Sequence, residues 1–289
     1  MSNTSQPGDF EVFWQKVCHQ LESVSIAPEE EIIPIRSTEF CDCYTVKFTG
    51  IGPYRLFGYL SIPHGQGPFP TLLLGPGYHS VVEPLPQGDA NEKRKRFLIF
   101  SVAGRGQRNA DKPFAAIYPG LMTKGIDDPD TYIFRGIVAD WLRAVDYLLT
   151  RPEVDLSKLG AIQKDDLPLL ISALRPEVTH LVATPKYFYP SHNQQPEEVT
   201  DYLRLFPEKR TLVERTLSFF NLISFAPSVQ AKTLLWGDSK ELKPLISALE
   251  GETEIRMSER SSYKDGLFQE RWISNQFGFS DSIIPWHWQ

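Results

Sequence analysis

Two adjacent carboxylates, Asp165 and Asp166, separate an apolar run ending at Ile162 from a second one, Leu167–Leu174, whose spacing is helical. A carboxylate in that place has two uses. As a nucleophile it forms an ester that a histidine-activated water cleaves. As a helix N-cap it accepts a bond from an orphan backbone N–H. The first use needs an imidazole within reach, and the candidates are His79, beside Tyr78, and His287, in the terminal Pro285-Trp286-His287-Trp288-Gln289, with His180 and His192 further along the chain. Ser258, Ser261 and Ser262 offer hydroxyl nucleophiles instead. Arg105, in Arg105-Gly106-Gln107, has Asp127, Asp128 and Asp130 as ion-pair partners to choose from. The Asp127-Asp128 pair has no histidine or cysteine at metal-ligand spacing, so neither a metal nor a cofactor is expected.

These residues need elements to hold them. Asp9 can cap a helix over Phe10–Val24, with Phe10, Phe13, Trp14, Val17 and Leu21 on one face. Strand-like segments follow at Cys43–Phe48 and Leu56–Ile62, joined by the turn residues Gly50-Ile51-Gly52-Pro53. Cys41 and Cys43 share one face of the first strand and are too close together for an ordinary disulfide. Thr71–Leu74 and Phe97–Val102 are fully apolar, the mark of central parallel strands. Pro129–Thr150 is helical, with Asp130 as its cap, and Leu159–Ile162, His180–Ala183, Lys232–Trp236 and Glu254–Met257 read as further strands. Helices are expected at Leu167–Leu174, Pro244–Leu249 and Leu267–Phe277, and 185–207 is the segment expected to be irregular. Strands alternating with helices imply an α/β fold, a mostly parallel sheet covered on both faces and preceded by an N-terminal helix and a hairpin. Residues 1–8 are expected to be disordered and 9–289 to form one domain.

The chain of 289 residues carries a formal net charge of −6, which argues against a nucleic-acid partner. Its one basic run, Lys93-Arg94-Lys95-Arg96, reads as a solvated approach to the buried strand that follows. Three cysteines do not make a disulfide framework, the N-terminus lacks an apolar signal core, and no run approaches a membrane span. A cytoplasmic location and no membrane partner are expected.

Several segments in order are more specific. They are Asp9-Phe10 with Phe13-Trp14, Gly58-Tyr59-Leu60-Ser61-Ile62-Pro63, Gly77-Tyr78, Arg105-Gly106-Gln107, the block Met122–Asp128 continuing to Asp146, and Thr216-Leu217-Ser218-Phe219-Phe220. Together they resemble the acetyl xylan esterase / cephalosporin C deacetylase family of carbohydrate esterases, from about Asp9 to Phe277. The resemblance implies an α/β-hydrolase fold, a Ser-Asp-His triad, a sugar-ester or other small-molecule ligand, and a homo-oligomer, by family habit a hexamer.

The chain departs from that pattern where the chemistry would occur. The nucleophile turn falls on Gln163-Lys164-Asp165-Asp166-Leu167, with Asp165 at the serine position and no glycine on either side. A left-handed backbone there would cost a non-glycine residue about 1–2 kcal/mol. The acid position falls on Lys240, with Asp238 and Glu241 close by, and the histidine position on Ser262. Tyr78 retains the position whose backbone N–H would serve an oxyanion, and Arg105 is a second candidate ligand-binding residue. The resemblance therefore implies a catalytically inactive relative kept for binding or assembly, with no catalytic residues. The alternative is an active carboxylic-ester hydrolase with a rebuilt nucleophile site.

Overall fold

The computed structural model describes residues 6–52, 54–78, 80–82, 91–107, 118–189 and 196–280. His79, His192 and His287 lie outside the described residues, as do Pro53 and residues 1–5.

Nine strands form one sheet: β1 (Glu29–Ile32), β2 (Cys41–Thr49), β3 (Arg55–Pro63), β4 (Phe69–Leu74), β5 (Leu98–Ala103), β6 (Val154–Ile162), β7 (His180–Ala183), β8 (Lys232–Trp236) and β9 (Thr253–Arg256). Their order is β1-β2-β3-β5-β4-β6-β7-β8-β9. Pairing is antiparallel from β1 through β3 to β5 and parallel from β5 to β9. The change follows from the connections, since a tight turn joins β2 to β3 while helical crossovers join the later strands.

Alternation along the central strands sorts their side chains onto two cores. Leu73, Leu98, Phe100, Ala161, Leu181 and Leu235 face one way, towards α1 (Phe10–Glu22), α3 (Ile133–Leu149) and α4 (Leu167–Leu174). Leu72, Ile99, Ile162, Val182 and Leu234 face the other, against Trp272, Ile273 and Phe277 at the end of α9 (Ser262–Gln276). Trp14 of α1 is buried and donates its indole N–H to the Phe219 carbonyl at 2.9 Å, which closes the N-terminal helix over the core. Cys41 and Cys43 are buried, as their shared strand face implied.

Several expectations need correction. The basic run is a short helix, α2 (Asn91–Arg96), and it is not simply solvated. Arg94 is buried, bonded to the Ser61 hydroxyl and the Arg36 carbonyl, and Lys93 pairs with Glu270. An arginine can be buried when its fork of donors is satisfied. The glutamates after Pro28 form the edge strand β1, whose residues are all exposed and so show no apolar alternation. The 185–207 segment contains helix α5 (Glu197–Leu205), followed by α6 (Arg210–Ser218) and α7 (Leu222–Phe225). Neither Asp9 nor Asp130 caps its helix; Asp9 pairs with Arg215, and Asp130 with Lys16. A short helix, α8 (Lys243–Ile246), precedes β9, and α9 starts five residues before Leu267, with the Ser261 side chain as its cap.

Candidate functional site

At the end of β6 the chain does not form a strained elbow. Gln163 N–H continues the ladder by donating to the Val182 carbonyl at 3.1 Å, and Thr184 N–H donates to the Asp165 carbonyl at 3.2 Å. Among the described residues only Ala27 and Arg260 are non-glycine residues with positive φ, so Asp165 avoids the left-handed conformation. Its carboxylate turns inward, where Oδ1 accepts from Leu167 N–H at 2.9 Å and Oδ2 accepts from the Gln163 side-chain amide. That amide also donates to the Pro76 carbonyl at 3.1 Å. Asp165 thus fastens the N–H of the first residue of α4, but Asp166 stands at the cap position and neither side chain makes a capping bond to the helix.

Asp166 performs a second fastening. It is buried, and its oxygens accept from Lys186 N–H at 2.8 Å and Tyr187 N–H at 2.7 Å, which binds the turn after β6 to the loop after β7. Burial pushes the Asp165 carboxyl up to about 7, with the Asp166 charge adding to the shift, and burial pushes Asp166 up to about 6.

Tyr78 lies in a turn after β4, stacked on Phe134 at a centroid distance of 6.3 Å and tilted against Tyr187 at 5.4 Å. Its hydroxyl donates to Glu198 Oε2 at 2.8 Å, and both oxygens accept from Met122 N–H. The Tyr78 side chain therefore ties α5 to the start of the 122–146 block. Burial, then the bond to Glu198, raises its hydroxyl well above the ordinary range.

Arg105 does not pair with Asp127, Asp128 or Asp130. Its Nε and a terminal nitrogen bond both oxygens of Asp140 at 2.8 Å, its backbone N–H donates to the same carboxylate, and a further bond reaches the Ile51 carbonyl at 3.0 Å. Asp140 is wholly buried in α3, and Gly136, one turn earlier, leaves room for the arginine: a Cβ there would lie 2.6 Å from Arg105 Cδ. Asp127 instead pairs with Lys209.

Of the three segments that the sequence resemblance assigned to a triad, two meet: the turn holding Lys164 and Asp165 and the first turn of α9 holding Ser262. A cleft of about 440 Å³ opens between the turn after β6, the ends of β7 and β8, and the start of α9, with Lys164, Trp236, Arg260, Ser262, Asp265 and Gln269 in its lining. Ser262 lines it from the first turn of α9, whereas Lys240 is exposed in the loop after β8, its N–H donating to Asp238 Oδ1. Ser258 donates its hydroxyl proton to Asp265 and accepts from Arg260 N–H. That hydroxyl bond, the Glu259 N–H and the nearby charges of Lys164 and Arg256 hold the Asp265 carboxyl below its usual range.

His180 stands at the opposite end of β7 from this cleft, at the strand's first residue, with its ring edge-on to Phe277 at 4.9 Å and bonded to the Thr179 hydroxyl. Burial, then the charges of Lys232 and Lys158, lowers it to about 4. Sequence reasoning singled out Asp165 but missed Lys164, the neighbour that faces the cleft, because only the bonded turn reveals which of the two points inward. Asp140 and Glu198 gave no signal, since each is one acidic residue inside a helix. Among the described residues, no group of three or more His, Cys, Asp and Glu side chains could hold a metal ion, and no helix is long and apolar enough to cross a membrane.

The acetyl xylan esterase (AXE1) family pattern matches residues 1–238. An acetyl esterase, Axe7A, of Xylanibacter ruminicola is 24% identical over 266 residues, covering 83% of this chain and 58% of its own length. The chain thus spans little more than half of that relative. The structure is similar to an acetyl xylan esterase from Paenibacillus sp. R4, with a TM-score of 0.81 and 22% identity over 94% of this chain and 95% of the other. It is also similar to acetyl xylan esterase 1 from Thermoanaerobacterium sp. JW/SL YS485, with a TM-score of 0.77 and 21% identity over 91% and 92%. Both likenesses show the α/β-hydrolase fold.

Proposed function

The chain belongs to the acetyl xylan esterase family, and we propose that it is a non-catalytic member, retained for binding or assembly. The observation that carries this reading is the inward turn of Asp165. A nucleophile must present a lone pair to a substrate carbonyl and have a base to manage its proton. Here both carboxylate oxygens are engaged by Leu167 N–H and Gln163, and the side chain is 5% exposed. The residue that meets the cleft at this turn is Lys164. On the sequence resemblance the acid position falls on Lys240, which is exposed, and the histidine position on Ser262, in the first turn of a helix.

p-Nitrophenyl acetate tests the reading directly. The purified chain is expected to release p-nitrophenol no faster than buffer does. Turnover that disappears in Asp165→Ala would overturn the proposal.

A second reading, an active carboxylic-ester hydrolase with a rebuilt site, is favoured by one feature: burial pushes the Asp165 carboxyl up to about 7, where a general base works best. On that reading the rate rises with pH through about 7.

For assembly we propose a homo-oligomer. Internal bonds already account for the Thr123–Pro129 loop, so the loop adds no argument for it. Ile126, Asp128 and Thr131 N–H groups donate to the carbonyls of Thr123, Gly125 and Asp128, and Ile133 N–H donates to that of Lys124. Gly125 is required there, because its φ is +71° and a Cβ would lie 2.3 Å from the Thr131 carbonyl oxygen. Sedimentation at micromolar concentration checks the proposal, and a monomer near 33 kDa would refute it.

A further inference from the structure

We propose that the cleft beside Lys164 binds a small organic oxyanion, a carboxylate or phosphate ester carried on an apolar body. The proposal deepens the non-catalytic reading and rests on it, since it names the ligand of the same vacated centre. The cleft's volume of about 440 Å³ falls within the range usual for small-molecule sites.

Charge selects the ligand class. Lys164 and Arg260 both line the cleft, one on the turn after β6 and one on the loop before α9. Neither forms an ion pair among the described residues. The one acid in the lining, Asp265, has its oxygens engaged by the Ser258 hydroxyl and the Glu259 N–H. Among the charged residues of the lining, Lys164 and Arg260 outnumber Asp265, in a chain whose net charge is −6. A local positive field on an acidic protein attracts anions to that place and repels them elsewhere.

The remaining lining fits an oxyanion with a body. Ser261 accepts from Lys264 N–H and so keeps its proton to donate, and Ser262 stands beside it. Hydroxyl donors and two cations suit carboxylate or phosphate oxygens. The Trp236 ring, set edge-on to Phe268 at 5.9 Å, supplies an apolar wall for the rest of the molecule. Arg260 reaches the cleft from a left-handed backbone (φ +57°).

Titration calorimetry with benzoate, phenyl phosphate and neutral benzyl alcohol tests this. Both anions, or one of them, should bind, at least about 10-fold tighter than benzyl alcohol, and more weakly as salt is raised. Preference for benzoate or for phenyl phosphate distinguishes the two sources of oxyanion. Lys164→Gln and Arg260→Gln, both at exposed positions, should each weaken binding about 5-fold or more without changing the thermal melt. Lys232→Gln, at the other end of β8 from Trp236, should leave binding as it was. No binding of either anion at millimolar concentration, benzyl alcohol binding as tightly as the anions, or anion binding that survives both cleft substitutions would overturn the proposal. The two readings fail separately: p-nitrophenyl acetate turnover with intact charge-dependent binding removes the non-catalytic reading alone, and absent binding without turnover removes the oxyanion site alone.

Discussion

Arg105 and Lys164 each stand two residues beyond the end of a central strand, and they are held in opposite ways. Arg105 is grasped by a buried carboxylate and a backbone carbonyl, lies over the glycine of α3 and carries the Tyr54 ring on its guanidinium at 4.7 Å. Lys164 is exposed at the rim of a cleft, while its neighbours Gln163, Asp165 and Asp166 hold the turn down. On the sequence resemblance the first region is close to the esterase family and the second departs from it. Where the match is close, the residues bond inward and support the fold. Where it departs, the backbone is held by new bonds and a different side chain faces the ligand space. A family motif kept in a chain of this kind is evidence about folding before it is evidence about chemistry.

The largest expected effect breaks the first region. Asp140→Ala leaves the Arg105 guanidinium without its partner and should cost about 3–5 kcal/mol, read as a shift of the urea midpoint at unchanged m-value. A cost below about 1 kcal/mol would mean that Arg105 is as loosely held as Lys164 and would remove the contrast.

A smaller effect sharpens the second region. The Asp165 carboxyl is raised in the folded chain, so it favours folding at low pH and loses that contribution as pH rises from about 4 through about 7. Asp165→Asn keeps an acceptor for Leu167 N–H and removes the charge. It should raise stability above pH 7 by about 2 kcal/mol and change little at pH 4, in chemical denaturation followed at both pH values. Equal effects at the two pH values would show that the buried charge is not what distinguishes this turn.

The smallest effect concerns the cleft's other cation. Arg260→Gly relieves the left-handed backbone and should stabilise the fold by about 1 kcal/mol, a rise of a few degrees in the melt, while weakening anion binding. A destabilised variant would make Arg260 part of the support, like Arg105, rather than of the ligand surface.

The central strands were legible because burial on both faces demands unbroken apolar runs; His180–Ala183 and Lys232–Trp236 appear with the bounds read from them. α4 was legible for the same reason, with Pro168 accepted in its first turn. β1 was not, since an exposed edge strand is stabilised by pairing with β2 and shows no apolar pattern of its own. Nor was the cap of α3, because Asp130 had a more distant partner in Lys16 that sequence spacing does not show.

By itself the sequence determined the family resemblance and the layered α/β architecture, because these depend on residue type and local spacing. Only the tertiary structure decided that Asp165 turns inward while Lys164 meets the cleft, that Arg105 chooses Asp140 over three nearer-looking acids, and that Arg260 lines the same cleft as Lys164. Those outcomes depend on which donors and acceptors from distant segments arrive at the same point with their charges to be satisfied, and that is fixed by packing of the sheet and its helices rather than by any neighbour along the chain.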